Sequence, residues 1–413
     1  MRFCMITTFY PPYHFGGDAM YVQQLSHELA ARGHHVEVVH CIDAFHLLSR
    51  YPPRSGVAEH PNVLVHRLKS PVGWLSPLAT QQTGRPIFKS NRLAKILGQP
   101  FDVIHYHNIS LVGGPAVLEY GRAIKLYTLH EYWLLCPTHM LFKFDREVCT
   151  KKACFSCTLT HRRPPQFWRY TGLIERTIPH VDLFLAPTAF TKAKHLESAP
   201  DMPIAEFPYF TSRWDTSDTP RPPSPGDPPY FLFVGRLEKM KGLQTLIEPF
   251  KRYTKAQLWV IGTGEYETTL QTLAGDCHTI RFLGFQTGEQ LRRLYQQAIA
   301  VIVPSLWYEV FGIVILEAFA QRTPVIVRNR GGMPEVITES GGGFVFDTDE
   351  ELMMIMDKLL DQPCLRSSMG QQGFEALQKR WTADVHLKRY FELIERIGKA
   401  RKVSRKSPGV TKT

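Results

Sequence analysis

The sequence predicts an α/β protein of two successive doubly wound domains, each with a mostly parallel sheet covered by helices. Two observations predict this class: short β-rich runs alternate with helical stretches, and the alternation restarts after a proline-rich break. The length agrees, because 413 residues exceed one ordinary core. The composition, 44% hydrophobic and 21% charged residues, is typical of a globular chain.

The first domain is predicted over residues 1–210. It opens with a β-rich run, a Pro/Gly loop and a stretch with apolar residues at helical spacing. Gly33 then ends the helix as a C-terminal cap, and a second strand follows. The apolar runs that predict the strands lie at 3–8, 36–39, 103–104, 125–129 and 183–186.

A proline-rich stretch, residues 211–229, is predicted to link the domains. Its six prolines from Pro220 to Pro229 exclude both a helix and a central strand. The pattern then restarts, and the second domain is predicted over 230–380. Its strand signals lie at 230–234, 258–261, 299–303 and 324–327.

The chain is predicted to end in a helix over 381–397, which we expect to pack back on the first domain, and a disordered basic tail over 398–413. The other interpretation of the tail is contact with anionic lipid, where each basic residue contributes about 1 kcal/mol. The net charge is +11, but no nucleic-acid module accompanies it, so a nucleic-acid partner is not expected.

Location and redox state follow from what the sequence lacks. No stretch approaches the roughly 20 apolar residues that span a bilayer, and the start is typical of a strand, not a signal peptide. A cytoplasmic protein, possible at the inner face of a membrane, is therefore expected. Eight cysteines in a chain of this length do not predict a disulfide scaffold.

Glycines and cations follow predicted strands, where open α/β sheets bind ligands. Gly16 and Gly17 lie between the first strand and the first helix. Two glycines allow a phosphate to approach the backbone, although a flexible turn explains them equally well. Arg236 and Lys241 follow the first strand of the second domain. Fixed cations there would stabilise charge on a departing diphosphate; two solvated surface charges are the alternative.

The most informative segment follows the predicted strand at 299–303. Glu309 lies in the loop and Glu317 about one turn into the next helix, so both carboxylates can face one crevice. An acid early in a helix is also favoured by the helix dipole, which is the structural explanation for Glu317. Between them, backbone N–H groups at Phe311 and Gly312 could meet sugar hydroxyls.

Glu309 and Glu317 form an E-x7-E pattern that resembles the signature of the group 1 retaining glycosyltransferases. This resemblance implies the GT-B fold, in which two Rossmann-like domains face each other across a cleft. It covers about residues 1–397. The matching motifs are Pro11-Pro12 with Gly16-Gly17, Leu29 with Arg32-Gly33-His34, Val234-Gly235-Arg236 with Lys241-Gly242, Gly262-Thr263-Gly264, and Gly331-Gly332-Met333-Pro334-Glu335-Val336.

The resemblance implies a nucleotide-diphosphate sugar as the donor. Arg236 and Lys241 would hold its diphosphate, Glu317 would bind the ribose, and Glu309 would lie near the transferred sugar. No catalytic metal is expected, because the two cations supply the countercharge. Further implied donor contacts are Gly17, Gly262 and the backbone of Phe311, Gly312 and Ile313.

His130 matches the first-domain histidine that reaches the sugar in this family, and so joins Glu309, Arg236 and Lys241 as an expected catalytic residue. An ordinary core or surface histidine is the alternative. Two departures from the family pattern bear on the acceptor: Glu131 stands where Asp is frequent, and Asp18 follows the glycine pair.

A cysteine cluster follows His130. Its spacing, C-x12-C-x4-C-x2-C, could hold a structural zinc or, as a second choice, an iron–sulfur cluster, whereas free thiols in a loop are the plain interpretation. A basic and aromatic run at 162–170 comes next, which suits a lipid surface or a lipid-linked sugar, or ordinary packing. The cluster consists of Cys136, Cys149, Cys154 and Cys157.

The expected activity is therefore hexosyl transfer to a glycan, lipid-linked or polysaccharide acceptor, in polysaccharide or lipopolysaccharide assembly. A sugar phosphorylase or sucrose-synthase-like enzyme would use the same fold differently. A non-catalytic sugar-nucleotide-binding or membrane-adaptor protein is the alternative from another class.

Overall fold

The computed structural model contains two parallel sheets and one short antiparallel hairpin, and it describes residues 1–49, 52–53, 58–212, 214 and 228–406. The strands are β1 (Arg2–Ile6), β2 (His35–Cys41), β3 (Val63–Leu68), β4 (Val103–Tyr106), β5 (Ile124–Thr128), β6 (Phe142–Lys143), β7 (Glu147–Val148), β8 (Leu183–Ala186), β9 (Ile204–Glu206), β10 (Tyr230–Val234), β11 (Gln257–Ile261), β12 (Ile280–Phe282), β13 (Val301–Val303), β14 (Val325–Arg328) and β15 (Gly343–Phe346).

Helices connect the strands and cover both faces of the sheets. They are α1 (Gly17–Ala31), α2 (Ile42–Leu48), α3 (Leu75–Thr83), α4 (Ser90–Leu97), α5 (Cys154–Thr160), α6 (Leu173–Thr177), α7 (Ala189–Leu196), α8 (Gln244–Arg252), α9 (Glu267–Ala274), α10 (Gly288–Gln297), α11 (Ile313–Ala320), α12 (Met333–Ser340), α13 (Asp349–Asp361), α14 (Pro363–Arg380) and α15 (Ala383–Lys406). Within the described residues, no helix is both long and apolar enough to cross a bilayer.

Both large sheets are doubly wound. The first has the order β3-β2-β1-β4-β5-β8-β9 and the second β12-β11-β10-β13-β14-β15, with parallel pairing throughout. The strand order reverses between β1 and β4 in the first sheet, and between β10 and β13 in the second. Such reversal points open a crevice at the carboxyl ends of the strands, so the loops after β1, β10 and β13 lie where a ligand would bind.

The last helix, α15, packs against the first domain. The Tyr390 ring lies 6.1 Å from that of Phe3 in β1, and the Tyr390 hydroxyl lies 2.9 Å from Nδ1 of His105 in β4. Farther along, Arg401 donates to both carboxylate oxygens of Asp182, at 2.7 and 2.6 Å. These contacts bring the end of the chain back to the sheet with which it begins.

The predicted disorder of the tail from 398 is wrong for residues 398–406, which continue α15. The physical reason is that Arg401 is held by Asp182 and by the carbonyl of Arg122, so the helix keeps partners beyond 397. The rest of the tail, 407–413, lies outside the described residues. So does most of the predicted linker, residues 213 and 215–227.

Candidate active site

A lysine and a glutamate from two neighbouring loops form the centre of the site. Nζ of Lys241, after β10, lies 3.0 and 3.2 Å from the carboxylate oxygens of Glu309, after β13. The Ser305 hydroxyl and the Trp307 indole N–H also donate to Glu309 Oε2, at 3.1 and 2.7 Å. The Glu309 carboxylate is thus held by three donors, and its side chain is only 12% exposed.

Backbone packing fixes the two loops relative to each other. Gly242 has a φ of +79°, and a Cβ there would lie 2.0 Å from the Pro304 carbonyl oxygen. Next to this contact, the Leu306 N–H donates to the Met240 carbonyl at 2.9 Å. Only glycine fits so close to another backbone in this conformation. The contact of Gly242 with Pro304 therefore fixes the position of Lys241, the residue before it.

Helix α11 carries the second glutamate of the pair. Glu317 is buried, and its Oε2 accepts a hydrogen bond from the Tyr295 hydroxyl at 2.7 Å. The helix begins after Gly312, whose φ is +86°. The first N–H groups of a helix lack intrahelical acceptors and favour anions, so the backbone at Ile313 offers donors to a phosphate.

The glycine pair of the first domain lies against this edge of the second. A Cβ on Gly16 would lie 3.8 Å from Nε of Arg236, and a Cβ on Gly17 would lie 3.5 Å from Cδ1 of Ile313. The Arg236 side chain is 44% exposed and pairs with Glu238. The structure therefore brings Gly17, Arg236 and the start of α11 together across the cleft.

Gly262 supports this edge from the end of β11. Its φ is +135°, and a Cβ there would lie 1.8 Å from the carbonyl oxygen of Gly235. Its N–H donates to the Gly284 carbonyl at 2.8 Å. The Gly262 N–H is thus bonded to the protein itself. Gly262 contributes to the site because, without a Cβ, its backbone can pack closely against Gly235, which precedes Arg236.

His130 lies on the opposite side of the cleft, in a buried network. Its Nε2 is 2.8 Å from Nδ1 of His107, and its Nδ1 is 2.6 Å from the Tyr209 hydroxyl. Burial lowers the pKa of His130 to about 4, against a smaller opposite effect of the Asp18 carboxylate. The imidazole is therefore neutral at neutral pH, and both ring nitrogens have protein partners.

Tyr209 connects this network to the second domain. Its ring lies 5.4 Å from that of Phe311, just before α11. Burial raises its pKa well above the ordinary value, and the negative charges of Asp18, Glu309 and Glu131 contribute to the rise. Acidic groups of both domains therefore act electrostatically on Tyr209.

Direct hydrogen bonds join the domains beside the cleft. The Thr188 hydroxyl donates to the Val310 carbonyl at 3.0 Å. Glu335, on α12, accepts from the N–H groups of Ala189 and Phe190 at 2.8 and 2.7 Å. A carboxylate of the second domain thus caps helix α7 of the first.

The four predicted cysteines line one small cavity of about 20 Å³, between the β6–β7 hairpin and α5. The Phe144 N–H donates to Cys157 Sγ at 3.3 Å. Burial raises the pKa of Cys149 and Cys154, and the neighbouring thiols add to the rise. Within the described residues, however, no group of three or more His, Cys, Asp or Glu side chains is arranged to hold a metal ion. The four thiols therefore lie around one cavity without forming a metal-coordinating arrangement in this structure.

Sequence reasoning missed several residues that hold the site together. Ser305 and Trp307 lie four and two residues before Glu309 in the segment that the sequence had singled out, and this spacing was the available signal. Tyr295 and Tyr209 come from distant segments with no motif of their own, and only the fold brings them to Glu317 and His130.

Two family models match the chain in consecutive parts. The family described as Glycosyltransferase Family 4 matches residues 15–204, and the family described as Glycosyl transferases group 1 matches residues 215–376. The first match covers most of the first domain and the second match most of the second domain. The two models therefore assign both halves of the chain to glycosyltransferases.

Curated relatives match over different lengths. The uncharacterized glycosyltransferase MJ1607 of Methanocaldococcus jannaschii is 41% identical over 123 residues, which are 28% of this chain and 31% of that protein. The chain spans about a third to a half of the first curated relatives that it matches. Glycogen synthase of Mycobacterium tuberculosis is 26% identical over 416 residues, covering 93% of this chain and 91% of that protein.

Solved structures share the whole fold. Sucrose-phosphate synthase of Thermosynechococcus elongatus superimposes with a TM-score of 0.73 at 19% identity, over 97% of this chain and 99% of that chain. HepE of Anabaena, solved in complex with UDP-glucose, superimposes with a TM-score of 0.66 at 17% identity, over 96% and 99%. The resemblance implied by the motifs is confirmed: the chain belongs to the group 1 glycosyltransferases and has the GT-B fold.

Proposed function

We propose that this protein transfers a hexosyl group from a nucleotide-diphosphate sugar to a glycan, lipid-linked or polysaccharide acceptor, with retention of configuration and without a catalytic metal. The observation that carries the proposal is the Lys241–Glu309 pair at the carboxyl edge of the second sheet, with Arg236 on the same loop as Lys241. Cations fixed at this edge stabilise a departing diphosphate more than the bound donor, because charge grows on it as the bond breaks.

Each group in the cleft has a role in this reaction. The bond between the anomeric carbon and the diphosphate oxygen breaks, and a bond to the acceptor hydroxyl oxygen forms on the same face. The acceptor proton passes to the leaving diphosphate. Arg236 and Lys241 stabilise the diphosphate, Glu309 orients Lys241 beside the sugar, and Glu317 binds the ribose.

The first domain would receive the acceptor. His130 is neutral and buried, and its ring nitrogens contact His107 and Tyr209, so it would hydrogen-bond the sugar as a neutral ring by exchanging one of these partners. Asp18 and Glu131 add acidic groups on the same side. The UDP-glucose complex of HepE supports a sugar nucleotide as the donor class, since that protein shares this fold. A lipid-linked acceptor would place the protein at the inner face of a membrane.

Thermal-shift measurements with UDP-, GDP- and ADP-sugars test the donor. A ligand that binds only the native state raises the melting temperature, so at least one sugar nucleotide should raise it. The shift should be largely lost in Lys241→Ala and kept in Lys251→Ala, whose lysine pairs with Glu248 on the surface of α8. Absence of a shift with every sugar nucleotide would contradict the proposal. Donor consumption that needs added phosphate or free sugar would favour the phosphorylase or sucrose-synthase-like alternative.

We also propose that the four cysteines bind one structural zinc ion. The support is that all four line a cavity of about 20 Å³, which is large enough for one ion, and that a backbone N–H already donates to Cys157. Metal binding would require the sulfurs to close around this cavity. Elemental analysis of chelator-washed protein should find zinc, reduced in Cys154→Ser and kept in Cys277→Ser. Folded, active protein without zinc would remove the metal from the proposal.

A further inference from the structure

The net charge of the chain resides in two segments of the first domain. Residues 60–101 and 148–174 contain eleven Lys and Arg and no Asp or Glu, whereas the rest of the chain has equal numbers of acidic and basic residues. The two segments therefore account for the whole formal charge of +11. The C-terminal tail, although basic, is balanced by acidic residues elsewhere.

The same segments expose aromatic side chains. Of the six exposed Phe, Tyr and Trp side chains in the described residues, five lie here, from 52% to 71% exposed. Clustered exposed apolar groups on a soluble fold mark an interaction surface. We call these five the aromatic surface: Trp74, Phe88, Phe155, Phe167 and Tyr170.

Direct contacts join the elements that carry these side chains. Helix α3 follows Trp74 and packs against the short 3-10 helices Ile87–Lys89 and Phe167–Tyr170. The Trp168 indole N–H donates to the carbonyl of Gln81 in α3 at 2.8 Å, and the Gln81 amide donates to the Pro164 carbonyl at 2.9 Å. The Phe155 ring, on α5, lies 6.4 Å from that of Phe167.

The aromatic surface also connects to the acceptor side of the cleft. Trp168 lies beside Phe167, and its ring is 5.9 Å from that of Trp133, three residues after His130. Arg169 donates to the carbonyls of Trp133 and Leu134 at 2.7 and 3.3 Å. The loop that presents His130 is therefore packed against the element that carries Phe167 and Tyr170.

We propose that the aromatic surface and its basic surroundings dock the first domain on an anionic lipid bilayer. Aromatic rings partition to the interface between headgroups and acyl chains, and basic residues near an anionic surface add electrostatic attraction. Exposed Arg162 and Arg163 lie between α5 and Phe167, so the two attractions act at one place. The inference goes beyond sugar transfer and does not depend on it, although docking here would present a lipid-linked acceptor to the His130 loop.

Vesicle co-sedimentation tests the docking surface. The full chain should bind vesicles of phosphatidylcholine mixed with phosphatidylglycerol, and should bind phosphatidylcholine alone or high-salt samples much more weakly, because salt screens exposed charges. The variants Phe167→Ser/Tyr170→Ser and Arg162→Glu/Arg163→Glu should each weaken binding by about tenfold or more, from the loss of interfacial rings or the reversal of two charges.

Matched variants elsewhere on the surface provide the controls. Leu273→Ser/Met354→Ser and Lys379→Glu/Lys388→Glu change exposed apolar and basic residues outside the aromatic surface, and they should leave vesicle binding unchanged. The chain ended after Lys406 should also bind normally. Melting temperatures within a degree or so of the unaltered protein would show that exposed substitutions leave the fold intact.

Three results would overturn the inference: no binding to the mixed vesicles at low salt, equal binding by the aromatic-surface variants, or loss of binding on removal of residues 407–413. An acidic protein partner in place of lipid would give the first of these results. Because donor-dependent thermal shifts are measured without lipid, failure of the docking surface and failure of the proposed transfer are distinguished.

Discussion

The two sides of the cleft use opposite chemistry. On the second domain the central groups are charged: Lys241 pairs with Glu309 on loops after adjacent strands. On the first domain His130 and its partners form a buried neutral network. Sixteen of the 17 histidines lie outside residues 230–380, where only His278 is found. The difference teaches that the second domain offers a charged pair at the edge where the proposed diphosphate would leave, whereas the first domain offers a neutral buried network where the proposed sugar would enter.

The largest effect is expected on the charged side. Glu309→Gln removes the charge that orients Lys241, and should lower the rate of donor consumption by about 10²- to 10³-fold, as for other groups that stabilise a transition state electrostatically. Steady-state rates of nucleotide release measure this. Glu339→Gln, on the surface pair with Arg380, is the control and should leave the rate unchanged. Equal rates in both variants would contradict the role of Glu309.

The next largest effect is expected from the backbone packing of Gly262 against Gly235 in the second domain, and it concerns stability. Gly262→Ala places a Cβ 1.8 Å from the Gly235 carbonyl oxygen at a φ of +135°, and should lower the free energy of unfolding by about 2–4 kcal/mol. Gly275→Ala has a φ of +59° with nothing within 4 Å, and should cost only about 1 kcal/mol. Urea unfolding compares them, and similar losses would mean that the close approach to Gly235 is unimportant.

Low pH is expected to destabilise the first domain, on the other side of the cleft. Burial holds the pKa of His130 and His195 near 4, and that of His40 and His386 near 3. An unfolded histidine, with a pKa of about 6.5, binds protons that these buried rings do not, so stability is fully present above pH 6.5 and is lost as pH falls towards 4. The loss at pH 5 is on the order of 2 kcal/mol for each such ring.

Hydrogen exchange at pH 7 and pH 5 locates this loss. Amides of β1, β4 and β5 in the first sheet should lose protection, whereas those of β10 and β13 in the second sheet should keep it. His278→Gln is the control and should not change the pH dependence. Uniform loss of protection in both sheets would contradict the assignment of acid sensitivity to the first domain.

The smallest effect on stability is expected from the hydrogen bonds by which Glu335 joins the second domain to the first. Glu335→Ala removes the carboxylate that caps α7 across the cleft, and should lower the free energy of unfolding by about 1 kcal/mol, as loss of a helix cap does. Glu339→Ala lies on the same helix without that contact and should have almost no effect. Thermal unfolding of the two variants checks the difference.

The sequence predicted the central strands and the charged loops because both leave local signals. Strands such as β10 are continuous apolar runs, and Lys241 and Glu309 follow strands directly. The edge strands β3, β9, β12 and β15 escaped prediction, because they are short or partly exposed and their apolar runs span at most three residues. Tyr209 escaped for a different reason: it contacts His130 only through the fold, and nothing near it in the sequence marks a site.

Helix α15 makes the first domain depend on residues that follow the whole of the second domain in the chain. Tyr390 and His386 are buried among residues of the first domain, including His105 and Tyr21. Until residues 383–406 have been synthesised, the first sheet lacks these partners and the apolar surface that they cover stays open. The first domain therefore cannot reach its final state before the second domain has been made, and a nonsense mutation just before α15 would destabilise the first domain although all of its strands are still made.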